Sequence, residues 1–208
     1  MLKDVLSRIQ TACQAANRDP KEVKLIVVTK GHSLEEIEKA VLAHGQTALG
    51  ENRIQEALPK LEAYPKLEWH LIGHLQTNKV KFCAGFSMIH SIDSLRLLEE
   101  IAKRSQTWGC APDLLLEINA GFEAQKHGIS PDQAPALLHS ARELGLTVRG
   151  LMTVAPQDLQ LAQQSFKALR ELRDQLGLEH LSMGMSDDLE LAIAEGATIV
   201  RVGRACFG

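Results

Sequence analysis

Apolar residues follow two rhythms along this chain, short continuous runs and stripes spaced three or four apart, and the two alternate. Leu2, Val5, Ile9, Cys13 and Ala16 share one helical face, after which Lys24–Thr29 reads as a buried strand. Ser33 and Glu36 form a capping box that opens a helix carrying Leu34, Ile37, Ala40 and Val41, and His44 with Gly45 stops it. Thr47–Gly50 predicts a second strand, followed by a helix with Ile54, Ala57, Leu58 and Leu61 inward, and Glu68–Ile72 a third. A helix is expected after Gln76, a strand at Met88–Ile92, and a helix behind Asp93 and Ser94 with Leu95, Leu98, Ile101 and Ala102 on one face. Asp113–Asn119 predicts the fifth strand. Ser130-Pro131-Asp132-Gln133 joins an N-cap, a first-turn proline and a capping-box glutamine, so a helix should run to Leu144. The rest reads as strand Val148–Thr153, helix Leu159–Leu176 ending at Gly177, strand Glu179–Met183, helix from Ser186 to about Glu195, and strand Thr198–Val202.

Eight strands alternating with helices predict an α/β fold, a single (β/α)8 TIM barrel. The strands are near-continuously apolar, as parallel strands covered on both faces must be. A doubly wound open sheet shares the alternation, but it commonly has fewer strands, and no GxGxxG follows the first strand. No Pro-, Gly- or Ser-rich linker divides residues 1–208, so one domain is expected.

Composition narrows the function. A chain of 208 residues, 45% hydrophobic, suffices for one barrel core. Its formal net charge of -3 gives no electrostatic drive toward nucleic acid or anionic lipid. With no apolar signal core and no membrane-length apolar run, a cytoplasmic protein is expected, and a monomer. Cys13, Cys83, Cys110 and Cys206 show no metal spacing and are expected as reduced, mostly buried thiols. No metal ligands are assigned.

Barrels carry their chemistry at the C-terminal ends of strands. Lys30 ends the first, where an apolar mouth would partly desolvate the amine and free it for carbonyl attack; a snorkelling surface lysine is the plainer alternative. Gly203 and Arg204 follow the last strand, where a glycine lets backbone amides approach an anion, and Ser186 could add a hydroxyl or simply cap a helix. Asp187 and Asp188 should then face solvent. His70 reads as a satisfied core histidine or a ligand contact, Asn52 as a helix cap or a ligand contact, and Lys126-His127-Gly128 as a loop.

Seven stretches, Val27–Lys30, Gly50–Glu56, Trp69–Lys79, Ile89–Asp93, Arg149–Thr153, Ser182–Asp188 and Val200–Arg204, closely resemble the pyridoxal-phosphate homeostasis protein family, over nearly the whole chain. The resemblance implies a barrel of the alanine racemase N-terminal-domain type that holds pyridoxal 5′-phosphate (PLP) as a Schiff base on Lys30. It implies Ser186, Gly203 and Arg204 around the phosphate, Arg201 facing the pyridine nitrogen, and Asn52, His70 and Met152 lining the ring. PLP-dependent apoenzymes are the implied recipients. Cofactor homeostasis without robust turnover is the expected role, since barrel racemases bring a second acid/base group from an added β domain and only six residues follow Val202. The alternatives are a PLP-dependent amino-acid racemase and a cofactor-free Schiff-base lyase.

Overall fold

In the computed structural model, which describes residues 1–121 and 127–208, eight parallel strands close into one barrel in chain order. These are β1 (Lys24–Val28), β2 (Ala48–Glu51), β3 (Glu68–Leu71), β4 (Met88–Ile92), β5 (Asp113–Glu117), β6 (Val148–Met152), β7 (His180–Ser182) and β8 (Ile199–Val202). Closure is made by β8 on β1, paired from Lys24↔Ile199 to Val27↔Val202. The helices are α1 (Leu2–Ala15), α2 (Leu34–Ala40), α3 (Ile54–Ala63), α4 (Leu95–Trp108), α5 (Ala134–Glu143), α6 (Leu159–Leu176), α7 (Leu189–Ala194) and α8 (Arg204–Phe207).

The burial of the strands on both faces divides the core in two. Outward residues such as Val27, Leu49, Trp69, Ile89 and Leu151 pack under the helices, while Ile26, Met88, Leu115, Met152 and Ile199 form a smaller cluster inside the barrel. The caps behave as their residue types require. Ser33 and Glu36 exchange hydrogen bonds at the start of α2, and Gly177 ends α6 in the left-handed region at φ 64°.

Several expectations are corrected. The segment after Gln76 is a 3-10 helix over Thr77–Phe82, in which Val80 is the one buried side chain; without an apolar stripe there is nothing to drive an α-helix. Ser130 opens a 3-10 turn at Pro131–Gln133 before α5 begins. Leu34, Leu58 and Leu95 are exposed, whereas Lys60 is buried. The thiols, by contrast, are mostly buried as expected: Cys13, Cys83 and Cys206 are, and Cys110 is exposed just past the end of α4. Residues 185–188 form a turn, and α7 starts at Leu189 rather than Ser186, because Asp188 Oδ1 accepts the Met185 amide at 2.6 Å and Arg8 takes the Ser186 carbonyl at 2.8 Å. Among the described residues no helix is long and apolar enough to cross a membrane.

Candidate functional site

Lys30 sits where β1 hands over to a tight turn. The His32 amide donates to the Thr29 carbonyl at 3.1 Å, and Gly31 takes φ +77°, a value that suits the third residue of a type II turn and favours glycine. Lys30 stands exposed at the barrel mouth, not partly desolvated as its apolar neighbours suggested. The backbone beneath it is anchored. Lys60 Nζ donates to the Thr29 carbonyl at 2.7 Å and to Glu51 Oε1 at 2.6 Å, and Thr29 Oγ1 donates to the same carboxylate oxygen at 2.6 Å.

Across the β1–β8 seam lies the Gly203 turn. A Cβ at Gly203 would come within 3.4 Å of Val28, so the chain passes close to the strand that ends in Lys30. At the neighbouring β7 end, Gly184 has φ +94°, and a Cβ there would press on Ala192 of α7. Its carbonyl accepts the Arg201 amide at 2.9 Å, which ties this turn to β8. Ser186 is half-buried, Gly203 half-buried and Arg204 exposed. Asp187 faces solvent as expected, but Asp188 is half-buried and turned toward the Met185 amide, with its charge felt at Arg201. An acidic side chain satisfied by a backbone donor has no need of water.

Below the mouth, polar side chains cross the barrel interior. Arg201, 4% exposed, donates through one terminal nitrogen to Ser182 Oγ at 2.7 Å and through the other to the Thr153 carbonyl at 2.9 Å. Ser182 Oγ lies 2.9 Å from His90 Nδ1, His90 Nε2 lies 2.9 Å from His70 Nδ1, and His70 Nε2 lies 3.0 Å from Glu68 Oε1. Lys24 Nζ closes the series on Glu68 at 2.5 Å. Burial pushes Arg201 down to about 10, opposed by the charges of Asp188 and Glu117, so it remains a cation at neutral pH. Burial, with His70 and Arg201 adding, holds His90 well below the usual imidazole value. The His70 hydrogen bond and Lys24 hold Glu68 at about 2. Burial raises Glu117 to about 7, with Asp93 adding and Arg201 opposing, and its Oε2 is buried without a hydrogen-bond partner.

Of the residues singled out from the sequence, Lys30, Asn52, Ser186, Gly203 and Arg204 fall at or just beyond the C-terminal ends of β1, β2, β7 and β8. Asn52 is half-buried, and the N-cap of α3 is Arg53 rather than Asn52. Met152 packs in the interior cluster, and His70 is fully buried with both ring nitrogens engaged. Lys126 lies outside the described residues. His90, Ser182, Glu117, Glu51 and Lys60 were not foreseen, although His90 and Ser182 occupy strand positions whose inward alternation is legible from Met88 and His180. His74, Asp93 and His127 also converge at the mouth, with ligand atoms within 4.8 Å of one another, a set chemically able to hold a cation. The two imidazoles are exposed, however, and stack with centroids 4.2 Å apart, a packing that accounts for their proximity.

Comparison with known proteins places the chain in a family. Residues 2–208 match the family described as alanine racemase, N-terminal domain. A pyridoxal phosphate homeostasis protein of Deinococcus radiodurans is 49% identical over 98% of this chain and 97% of its own length. Another, from Aquifex aeolicus, is 44% identical over 100% and 96%. Among solved structures, PipY of Synechococcus elongatus, determined with PLP bound, superposes with a TM-score of 0.82 at 36% identity, covering 97% of this chain and 100% of that one. With full-length identity of this order and the same closed barrel, the chain belongs to the alanine racemase N-terminal-domain family and, within it, to the pyridoxal phosphate homeostasis proteins.

Proposed function

We propose that this protein binds PLP covalently through Lys30 and holds it for release to PLP-dependent apoenzymes, without robust turnover of its own. The observation that carries the reading is the juxtaposition of an exposed primary amine at the end of β1 with the Gly203 turn, packed on Val28 two residues earlier. The donor set fits the cofactor: an amine for its aldehyde, a hydroxyl and two glycine-bearing turns for its phosphate, and a buried guanidinium for its ring nitrogen. Lys30 would hold the aldehyde; Ser186, Gly203 and Arg204 would bind the phosphate; Arg201 would serve the pyridine nitrogen; Asn52, Met152 and His70 would form the wall and floor. The names of the homologues and the PLP-bound PipY structure support PLP as the ligand.

When bound, PLP supplies an aldehyde that condenses with amines and a ring that draws electrons from them. Arg201 tempers the second property. A lasting cation beside the ring nitrogen disfavours its protonation, and an unprotonated ring is a weak electron sink. That favours storage over racemisation. We take the protein to act as a cytoplasmic monomer of one domain; its four free thiols suit a reducing compartment. The other reading, an amino-acid racemase, predicts rapid exchange of an amino acid's α-hydrogen in deuterated water; slow or no exchange is expected.

The test is optical and chemical. Protein incubated with PLP should gain a visible absorbance band, and borohydride should fix cofactor mass onto the Lys30 peptide. Lys30→Ala should lose the band yet keep part of its affinity, because the phosphate contacts do not depend on the covalent bond. A visible band persisting in Lys30→Ala, with the mass on Lys79 or another lysine, would overturn the assignment.

A further inference from the structure

The polar residues inside the barrel form one continuous series from Arg201 to Glu68, and the hydrogen-bond direction can be worked out at every step. Arginine can only donate, so Ser182 Oγ accepts at 2.7 Å and its own proton is left for His90 Nδ1 at 2.9 Å. A neutral His90 that accepts on Nδ1 carries its proton on Nε2, which then donates to His70 Nδ1 at 2.9 Å. His70 by the same logic is protonated on Nε2 and donates to Glu68 at 3.0 Å. Glu68, ionised, can only accept. The two ends therefore force the direction: a cation that cannot accept at one, a carboxylate that cannot donate at the other.

We propose that His90 is a positioning residue for Arg201: as a neutral imidazole protonated on Nε2, it takes the Ser182 hydroxyl proton and so aims the serine lone pairs at the guanidinium. The inference rests on the reading above that Arg201 meets the pyridine ring. Arg201 makes no ion pair within 4.0 Å among the described residues, so its orientation depends on the two neutral acceptors, Ser182 Oγ and the Thr153 carbonyl. Were His90 protonated on Nδ1, it would point a hydrogen at Ser182, and the serine oxygen would have to serve two donors while its own proton lost its partner at a buried position. Burial of His90, with the lasting positive charges of Arg201 and Lys24 adding, opposes the doubly protonated ring. The relay spans β3, β4, β7 and β8, so the cation at the ligand face is aligned through side chains that reach the opposite end of the barrel.

Histidine-selective 15N NMR on the ligand-free protein tests the relay directly. At pH 8 both rings should carry a proton on Nε2 and none on Nδ1, and His90 should keep that form down to about pH 6. An Nδ1–H signal or a doubly protonated ring at His90 overturns the proposal. PLP titration of two variants then tests the consequence. His90→Asn keeps an acceptor near the Nδ1 position and should bind within about threefold of the parent. His90→Leu removes it and should bind about tenfold more weakly, the size expected for one hydrogen bond to a charged group. Equal weakening in both, tracking their urea midpoints, would reduce His90 to a packing residue and defeat the idea. If the parent protein takes up no PLP, the functional reading fails, while the tautomers still decide the relay.

Discussion

Lys60 is 7% exposed, and an ammonium so deeply placed must find oxygens or lose its charge. It finds two, the Glu51 carboxylate and the Thr29 carbonyl, and the second lies immediately before Lys30. The pair thus joins α3 to the strand ends that carry the proposed site. Removing one member leaves the other uncompensated, and Glu51 Oε2 already lacks a partner. Lys60→Met should lower the free energy of unfolding in urea by about 3–5 kcal/mol, and adding Glu51→Gln should recover most of that loss. A double variant as unstable as the single one would mean that Lys60 acts through packing alone. The sequence pointed the other way here. Leu58 reads as part of the inward stripe of α3 and is exposed, while Lys60 gives no sign of its burial, because periodicity counts apolarity and cannot see a carboxylate arriving from another strand.

At the scale of elements, the barrel depends on close backbone approaches as much as on apolar burial. A Cβ at Gly150 in β6 would overlap the carbonyl of His180 in the adjacent β7, and backbone cannot step aside as a side chain can. Gly50 in β2 is softer: its Cβ would meet the side-chain tips of Ile26 and Ile72. Gly150→Ala should therefore destabilise by about 3 kcal/mol or more, and Gly50→Ala by clearly less, read from paired urea titrations. Equal losses would show that both sites relax alike. Strand positions were legible because runs such as Leu114-Leu115-Leu116 are buried on both faces, whereas several element ends were not. The helix from Ser186 failed on a tertiary fact: Asp188 and Arg8 bind the backbone of residues 185 and 186 before helical bonds can form there.

For the molecule as a whole, buried titratable groups set how stability answers to pH. His90 is held below its unfolded value of 6.5, so stability is lost as pH falls beneath that value, where the unfolded chain takes up a proton that the folded chain refuses. Glu117 acts in the opposite sense. Raised to about 7 from 4.5, it contributes fully below 4.5 and progressively less as pH rises through 7. Glu68, held at about 2, contributes above 4.5 and is lost as pH falls toward 2. Between 4.5 and 6.5 His90 and Glu117 offset one another. Glu117→Gln stays neutral at every pH, so it should exceed the parent by about 1–3 kcal/mol at pH 8 and lose that advantage by pH 4.5. An advantage that does not change with pH would show that Glu117 does not titrate in this range.

What the sequence determined by itself was the list of parts and their order: eight apolar strands, the caps at Ser33 and Gly177, and a lysine, a serine and a glycine turn placed at strand ends. Those follow from local chemistry, since burial periodicity, capping and turn preferences act over a few residues. Which polar groups meet inside the barrel was decided only by closure. His70, His90, Ser182 and Arg201 come from four strands scattered over the chain, and the register of a closed sheet, which no local pattern encodes, brings them within hydrogen-bonding distance.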